Sequence, residues 1–158
     1  MNIVALKITK LDPSLKPFES DLILRQQNLK AAKAALLSGN KTLVDFANGH
    51  LYYGFHQTEN GWVYREWAPA AEKIYLTGDF CGWDRYAHPM EKKDNGVFEL
   101  FLPGKDALQE GQRVMAVVVH NGQELDRIPL YATRVVQDPH TYEWSAVIHK
   151  MQPFDWTD

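Results

Sequence analysis

Three Asn-Gly dipeptides, Asn60-Gly61, Asn95-Gly96 and Asn121-Gly122, punctuate the chain after residue 50 and stand between short runs rich in β-branched and aromatic residues. Asn and Gly both tolerate positive φ, which two-residue hairpin turns require, so each pair predicts antiparallel neighbours on its two sides. The candidate strands are Leu51–His56, Trp62–Trp67, Lys73–Thr77, Val97–Leu102, Arg113–His120, Glu124–Ile128 and Glu143–His149. Period-2 alternation puts Phe98, Leu100 and Leu102 on one face and Ile74 and Leu76 on another, and these are the expected core faces. Segment 62–67 admits two readings. Strict alternation sets Arg65 and Trp67 opposite Tyr64 and Glu66, whereas a bulge before Pro69 would change the phase.

Upstream of residue 50 the period is different. In residues 17–38, Phe18, Leu22, Leu29, Ala32 and Leu36 recur at helical spacing, with Pro17 suited to the first turn and Gly39 to the position past the end. A shorter helix is predicted at Thr42–Ala47, capped by Thr42 and favoured by Asp45 in its first turn, with Asn48-Gly49 as its stop. The expected fold is therefore mainly β: an immunoglobulin-like antiparallel β-sandwich of about seven strands preceded by an N-terminal α-helical segment. The expected divisions are a helical extension at 1–49, the sandwich at 50–150 and the start of a linker at 151–158.

Composition narrows the function classes. The 158 residues include 17 Lys and Arg against 20 Asp and Glu, a net charge of −3, which argues against nucleic acid as a partner. No window approaches the ~20 apolar residues of a membrane span, and the start lacks the apolar run of a signal peptide. With a single cysteine no internal disulfide can form, so a cytoplasmic location is expected. The six histidines are scattered and form no ligand set, and neither a metal nor a cofactor is expected.

The stretch "YLTGDFCGWDRY", residues 75–86, concentrates polar and aromatic residues in one corner. Asp79 and Asp84 could form an acid and base pair, since glycoside chemistry needs two carboxyl groups roughly 5–10 Å apart. Aspartates at a Gly-bounded corner more commonly bond nearby backbone, and that turn role is the expected one. Cys81 has no base or oxyanion site in view and reads as a small, half-buried thiol. Aromatic rings in such a domain either fill the core or stand exposed to stack on the C–H face of a sugar.

Residues 61–85, "GWVYREWAPAAEKIYLTGDFCGWDR", resemble the signature of the family 48 carbohydrate-binding module found at the N-terminus of glycogen and starch branching enzymes. "TLVDFANGHLYYGFHQ" (42–57), "GVFELFLP" (96–103) and "RIPLYATRVVQDP" (127–139) extend the likeness, and the leading helix matches the extension common in these enzymes. The resemblance implies an accessory module that helps hold an α-1,4-glucan such as glycogen and packs against the catalytic barrel of the same full-length chain. The branching chemistry, transfer from α-1,4 to α-1,6 linkage, would belong to that barrel, so the chain alone is expected not to be an enzyme. A free-standing glycogen-binding or regulatory subunit is the competing implication.

In this family the corner is structural, with Trp83 expected to pack the sandwich beside Asp79 and Phe80. Alignment with the glycogen-binding modules of kinase regulatory subunits makes Trp67 the candidate sugar-stacking residue. Glu124 falls near the place of their second stacking tryptophan, and Ala116 at that of a supporting lysine. The resemblance thus implies half a binding platform and millimolar affinity at best.

Overall fold

The computed structural model describes residues 7–37, 41–150, 155 and 157. It divides into two units, residues 1–49 and 50–158. In the first unit, α1 (Lys7–Leu11) leads into a 3-10 turn at Pro13–Phe18 and then α2 (Glu19–Leu36). Pro17 lies inside the 3-10 turn, so the long helix starts two residues later than expected, with Glu19 and Asp21 favouring the positive end of its dipole. No side chain of α2 is buried. Its expected stop at Gly39 lies outside the described residues. The short α3 (Leu43–Phe46) opens on a capping box: the Asp45 amide donates to Thr42 Oγ1 at 3.3 Å and the Thr42 amide to Asp45 Oδ2 at 2.7 Å.

The second unit is two antiparallel sheets. Strands β1 (Gly54–Gln57), β2 (Gly61–Trp67), β5 (Glu91–Lys92) and β6 (Val97–Pro103) form one sheet in the order β1-β2-β6-β5. The other runs β4 (His88–Pro89), β3 (Lys73–Gly78), β7 (Arg113–His120), β10 (Trp144–Val147), β9 (Val135–Gln137), with β8 (Gln123–Arg127) also paired to β7. The seven expected strands are all present, six with shifts of at most two residues at their ends, whereas the first starts only at Gly54, its expected Leu51 lying in the 3-10 turn Gly49–Leu51. The three additional ones are two or three residues long, and such short pieces, one containing Pro and one wholly charged, carry no periodic signal.

All three Asn-Gly pairs join antiparallel neighbours, by different means. Asn121-Gly122 is the two-residue hairpin, with His120 paired to Gln123 and φ of 50° and 70° at the turn. Asn95-Gly96 lies in a 3-10 turn between β5 and β6, where a Cβ on Gly96 would come within 2.4 Å of Pro69 Cα. Asn60-Gly61 sits in the wider loop 58–61, closed by the Thr58 amide on the Gly61 carbonyl at 2.7 Å.

The facing sides of the sheets make the core. Tyr64, Phe98 and Leu102 from one meet Ile74, Leu76, Val114, Ala116 and Ala146 from the other. Strict alternation holds through β2 with no bulge, which turns Tyr64 and Glu66 inward and Arg65 and Trp67 outward. Glu66 is therefore completely buried, and its carboxylate accepts from the Tyr64 hydroxyl, the Arg127 guanidinium and, at 2.8 Å, the Leu130 amide. A buried charge is tolerated only when paired in this way. The contacts bind β2 of the four-stranded sheet to the end of β8 in the other.

At the end of β3 the chain turns sharply. A Cβ on Gly78 would come within 2.3 Å of the Arg113 carbonyl oxygen, so only glycine permits the approach of β3 to β7 there. A 3-10 turn, Asp79–Cys81, follows, and then Gly82 and Trp83 both take left-handed conformations, φ 62° and 63°. Asp79 Oδ2 accepts the Arg113 amide at 2.7 Å, and Oδ1 accepts the Trp83 indole N–H at 2.9 Å and the Arg113 guanidinium at 3.3 Å. Asp84 Oδ1 accepts the Tyr86 amide at 3.0 Å. Both carboxylates thus hold the turn. Cys81 is half-buried, its thiol directed at the Gly78 carbonyl, 3.5 Å away.

The expectation that Trp83 packs the core is corrected. It is 37% exposed, because the left-handed backbone and the indole bond to Asp79 carry the ring outward, over the Arg113 guanidinium at 5.5 Å. Phe80, half-buried against the core cluster and 4.9 Å from the His88 ring, is the corner's inward wedge.

Two predictions follow from these bonds. Glu66→Ala leaves Arg127, Tyr64 and the Leu130 amide without their acceptor and should cost about 3–5 kcal/mol in urea unfolding. A loss below about 1 kcal/mol would show that the buried carboxylate does not tie the sheets. For Asp79, burial works to raise the carboxyl, but the Arg113 amide, the Arg113 side chain and the Trp83 indole together outweigh it and hold it below the ordinary 3.8. A depressed carboxyl contributes stability that is present above its unfolded pKa and lost as pH falls through the folded one. Asp79→Asn should therefore flatten the acid limb of the melting temperature below about pH 4, and superimposable limbs would remove this carboxylate from the account.

Candidate functional site

The outer face of the six-stranded sheet carries a groove of about 660 Å³. Its floor is set by strand alternation: Thr77 on β3 stands beside Met115 on β7, and Ser145 on β10 points the same way. Three exposed aromatics line it. Trp83 comes from the corner after β3, Trp144 opens β10 at 49% exposure, and Tyr142 lies just before it at 72%.

The β9–β10 connection is built by Asp138. Its Oδ1 accepts the amides of His140 and Thr141 at 2.9 and 3.1 Å, and its carbonyl oxygen accepts the Tyr142 amide at 2.9 Å. Those two amides hold the Asp138 carboxyl below the usual range. Tyr142 takes a left-handed φ of 62°, and the Gln137 side chain donates to its carbonyl oxygen at 3.0 Å. Arg113 then joins the two turns. Its Nη2 lies 3.3 Å from Asp79 Oδ1 and its Nη1 3.4 Å from Asp138 Oδ2. One guanidinium therefore fixes the spacing between the Trp83 corner and the Tyr142–Trp144 hairpin.

A second charged cluster lies beside the first. Arg85 Nη2 lies 2.8 Å from Asp126 Oδ1 and 3.5 Å from Glu124 Oε2, and the Tyr86 hydroxyl donates to Glu124 at 2.9 Å. The Asp126 bond chiefly holds Arg85 above its ordinary value, and the Glu124 bond raises the Tyr86 phenol. Rings bordering a polar floor suit a ligand with flat C–H faces and a hydroxyl edge. Among the described residues no group of three or more His, Cys, Asp or Glu could hold a metal ion, and no helix is long and apolar enough to cross a membrane.

Trp67 lies elsewhere. It is 50% exposed at the end of β2, its indole N–H donates to the Asn95 carbonyl at 3.1 Å, and it lines a separate, largely apolar groove with Ala68, Pro69, Ala71, Val118 and Leu130. Trp67 and Trp83 are thus not brought together. Ala116 is completely buried and faces the core, so a residue there cannot reach a ligand. Glu124 is engaged by Tyr86 and Arg85. The sequence reading missed Tyr142 and Trp144: Tyr142 lies outside any strand, and alternation sets Trp144 on the side of the core residue Ala146, so no local signal marks either as outward-facing.

Residues 52–141 match carbohydrate-binding module 48, the isoamylase N-terminal domain. The chain is 39% identical over 141 residues to a 1,4-alpha-glucan-branching enzyme of Yarrowia lipolytica, covering 85% of this chain and 20% of that protein. It is 33% identical to that of Dictyostelium discoideum (83% and 20%) and 35% to a chloroplastic/amyloplastic one of Pisum sativum (84% and 16%). It therefore spans about a fifth of the length of the curated relatives it matches. Among solved structures, pullulanase from Anoxybacillus sp. LM18-11 complexed with maltotetraose superposes with a TM-score of 0.52 at 14% identity, over 80% of this chain and 17% of that one. That likeness speaks for the fold alone. With the family's match covering residues 52–141, from β1 through β9 and including the Trp83 corner, this chain belongs to the carbohydrate-binding module 48 family.

Proposed function

We propose that this chain is the glucan-holding module of a longer 1,4-alpha-glucan branching enzyme, and that it holds an α-1,4-glucan in the Trp83–Tyr142–Trp144 groove. The observation that carries this reading is the Arg113 bridge, which presets three exposed rings around a polar floor before any ligand arrives. Preset rings reduce the ordering cost that otherwise consumes the affinity of a flexible chain. The branching chemistry belongs to a catalytic barrel elsewhere in the longer enzyme. Asp79 and Asp84, the corner carboxylates, are engaged by Arg113, Trp83 and the Tyr86 amide, which supports a holding role over a catalytic one. A cytoplasmic location accompanies the reading, since a lone half-buried thiol suits a reducing compartment.

Trp67 has the weaker claim to the sugar in the isolated module. It offers one ring, with its N–H already donated, among small apolar neighbours. Its role is to pack against the catalytic barrel, and it touches glucan only where that barrel supplies a second wall.

Titrating maltoheptaose into the chain should give a Kd between about 0.1 and 1 mM, or about −4 to −5.5 kcal/mol. Trp83→Ala and Trp144→Ala should each weaken binding about tenfold, as expected of central aromatic contacts. Trp67→Ala should change it less than about twofold. The reverse ranking would move the site to the Trp67 groove.

A further inference from the structure

The groove's cations are already spoken for. Arg113 directs Nη2 and Nε at Asp79 and Nη1 at Asp138, while Arg85 directs Nη1 and Nη2 at Asp126, with Glu124 beside it. No lysine lines the groove. Its lining holds two arginines against Asp126, Asp138 and Glu143, and Asp79 and Glu124 stand directly behind the arginines. The fixed charge around the rings is therefore net negative, although both guanidinium groups lie in full view of a ligand.

We infer that this groove selects uncharged stretches of glucan and rejects glucose units bearing a phosphate. The inference rests on the proposed glucan-holding role and adds the substrate class. A neutral sugar meets paired charges as fixed dipoles and can accept or donate hydrogen bonds without breaking them. A phosphomonoester carries close to two negative charges above pH 7. To gain a guanidinium whose charge is not already offset it must displace a carboxylate from its pair, and for Arg113 that pairing also holds the Trp83 corner and the β9–β10 hairpin. Without doing so, it faces five carboxylates at short range in a partly shielded concavity. The placement of the carboxylates thus gives the arginines an orienting role and denies them an anion-binding one.

The test compares maltoheptaose, maltoheptaose phosphorylated at C6 of an internal glucose, and maltoheptaose acetylated at the same position, by NMR titration of the whole chain at pH 8. At that pH histidine is neutral and the phosphate is fully ionised. The phosphorylated ligand should bind at least about tenfold more weakly than the unmodified one, with the ratio shrinking toward one in about 0.5 M NaCl. The acetylated ligand should fall well short of that penalty. In the double variant Asp126→Asn, Glu143→Gln the ratio of the two dissociation constants should fall several-fold. Equal or tighter binding of the phosphorylated ligand overturns the charge selection while leaving the glucan site standing. A penalty that the acetyl group reproduces and salt does not alter assigns the effect to size and likewise overturns it. If no ligand perturbs the groove, the glucan reading itself fails and the selection with it.

Discussion

The sandwich depends on one carboxylate placed where a carboxylate is least welcome. Glu66 is fully buried between the sheets, and burial of an unpaired charge would be prohibitive. The fold satisfies it with a phenol from its own strand, a guanidinium from the end of β8 and a backbone amide from the segment beyond β8. Burial, reinforced by the neighbouring carboxylate, pushes the Tyr64 phenol well above its ordinary value, which favours its donor form. Apolar contact alone tolerates sliding of one sheet over the other. A buried acceptor with three directional donors does not, and so it selects one register between β2 and β8.

That register is what allows the outer face of the six-stranded sheet to be used. Arg113 reaches from β7 to the corner after β3 and to the β9–β10 connection. The same residue supplies the amide that fixes Asp79, so backbone and side chain together determine where the Trp83 ring stands. Three rings separated by up to about sixty residues along the chain become one surface through a single side chain. The half-platform implied by the alignment with kinase-associated modules rested on Trp67, which lies in a separate groove; Tyr142 and Trp144 instead join Trp83. Glu124, at the place of the missing ring, instead helps confine Arg85.

On the proposed reading the module holds glucan rather than transforming it. Asp79, Asp84, Asp126 and Asp138 are engaged by turns and by arginines, and the exposed rings of Trp83, Tyr142 and Trp144 offer flat apolar area beside them. The proposed division of labour within a longer branching enzyme follows from that distribution. In that proposal one face of the sandwich would receive glucan, another would pack against the barrel, and the chemistry would be done by residues elsewhere in the longer enzyme.

The amino-acid sequence by itself determined the antiparallel character of the domain, its core faces and its separation from the helical segment. Those properties rest on local rules: period-2 burial in β3 and β6, positive φ at Asn121-Gly122 and the Thr42–Asp45 capping box all act within a few residues. It also carried the family signature in residues 61–85. Tertiary structure alone assembled the candidate groove. Alternation predicts in or out only within a strand, and Trp83 and Tyr142 stand outside strands, at left-handed positions; the Trp83 ring is directed by a bond to Asp79, four residues back, whose carboxylate is itself fixed by the distant Arg113 amide. For β2, alternation left two phases open, and the choice was made by partners more than sixty residues away that could accommodate Glu66 inside. Sequence pattern records what each residue prefers locally; Glu66 was placed by donors from Arg127 and Leu130, and Trp83 by an Asp79 acceptor that Arg113 holds, partners that only the folded chain brings within reach.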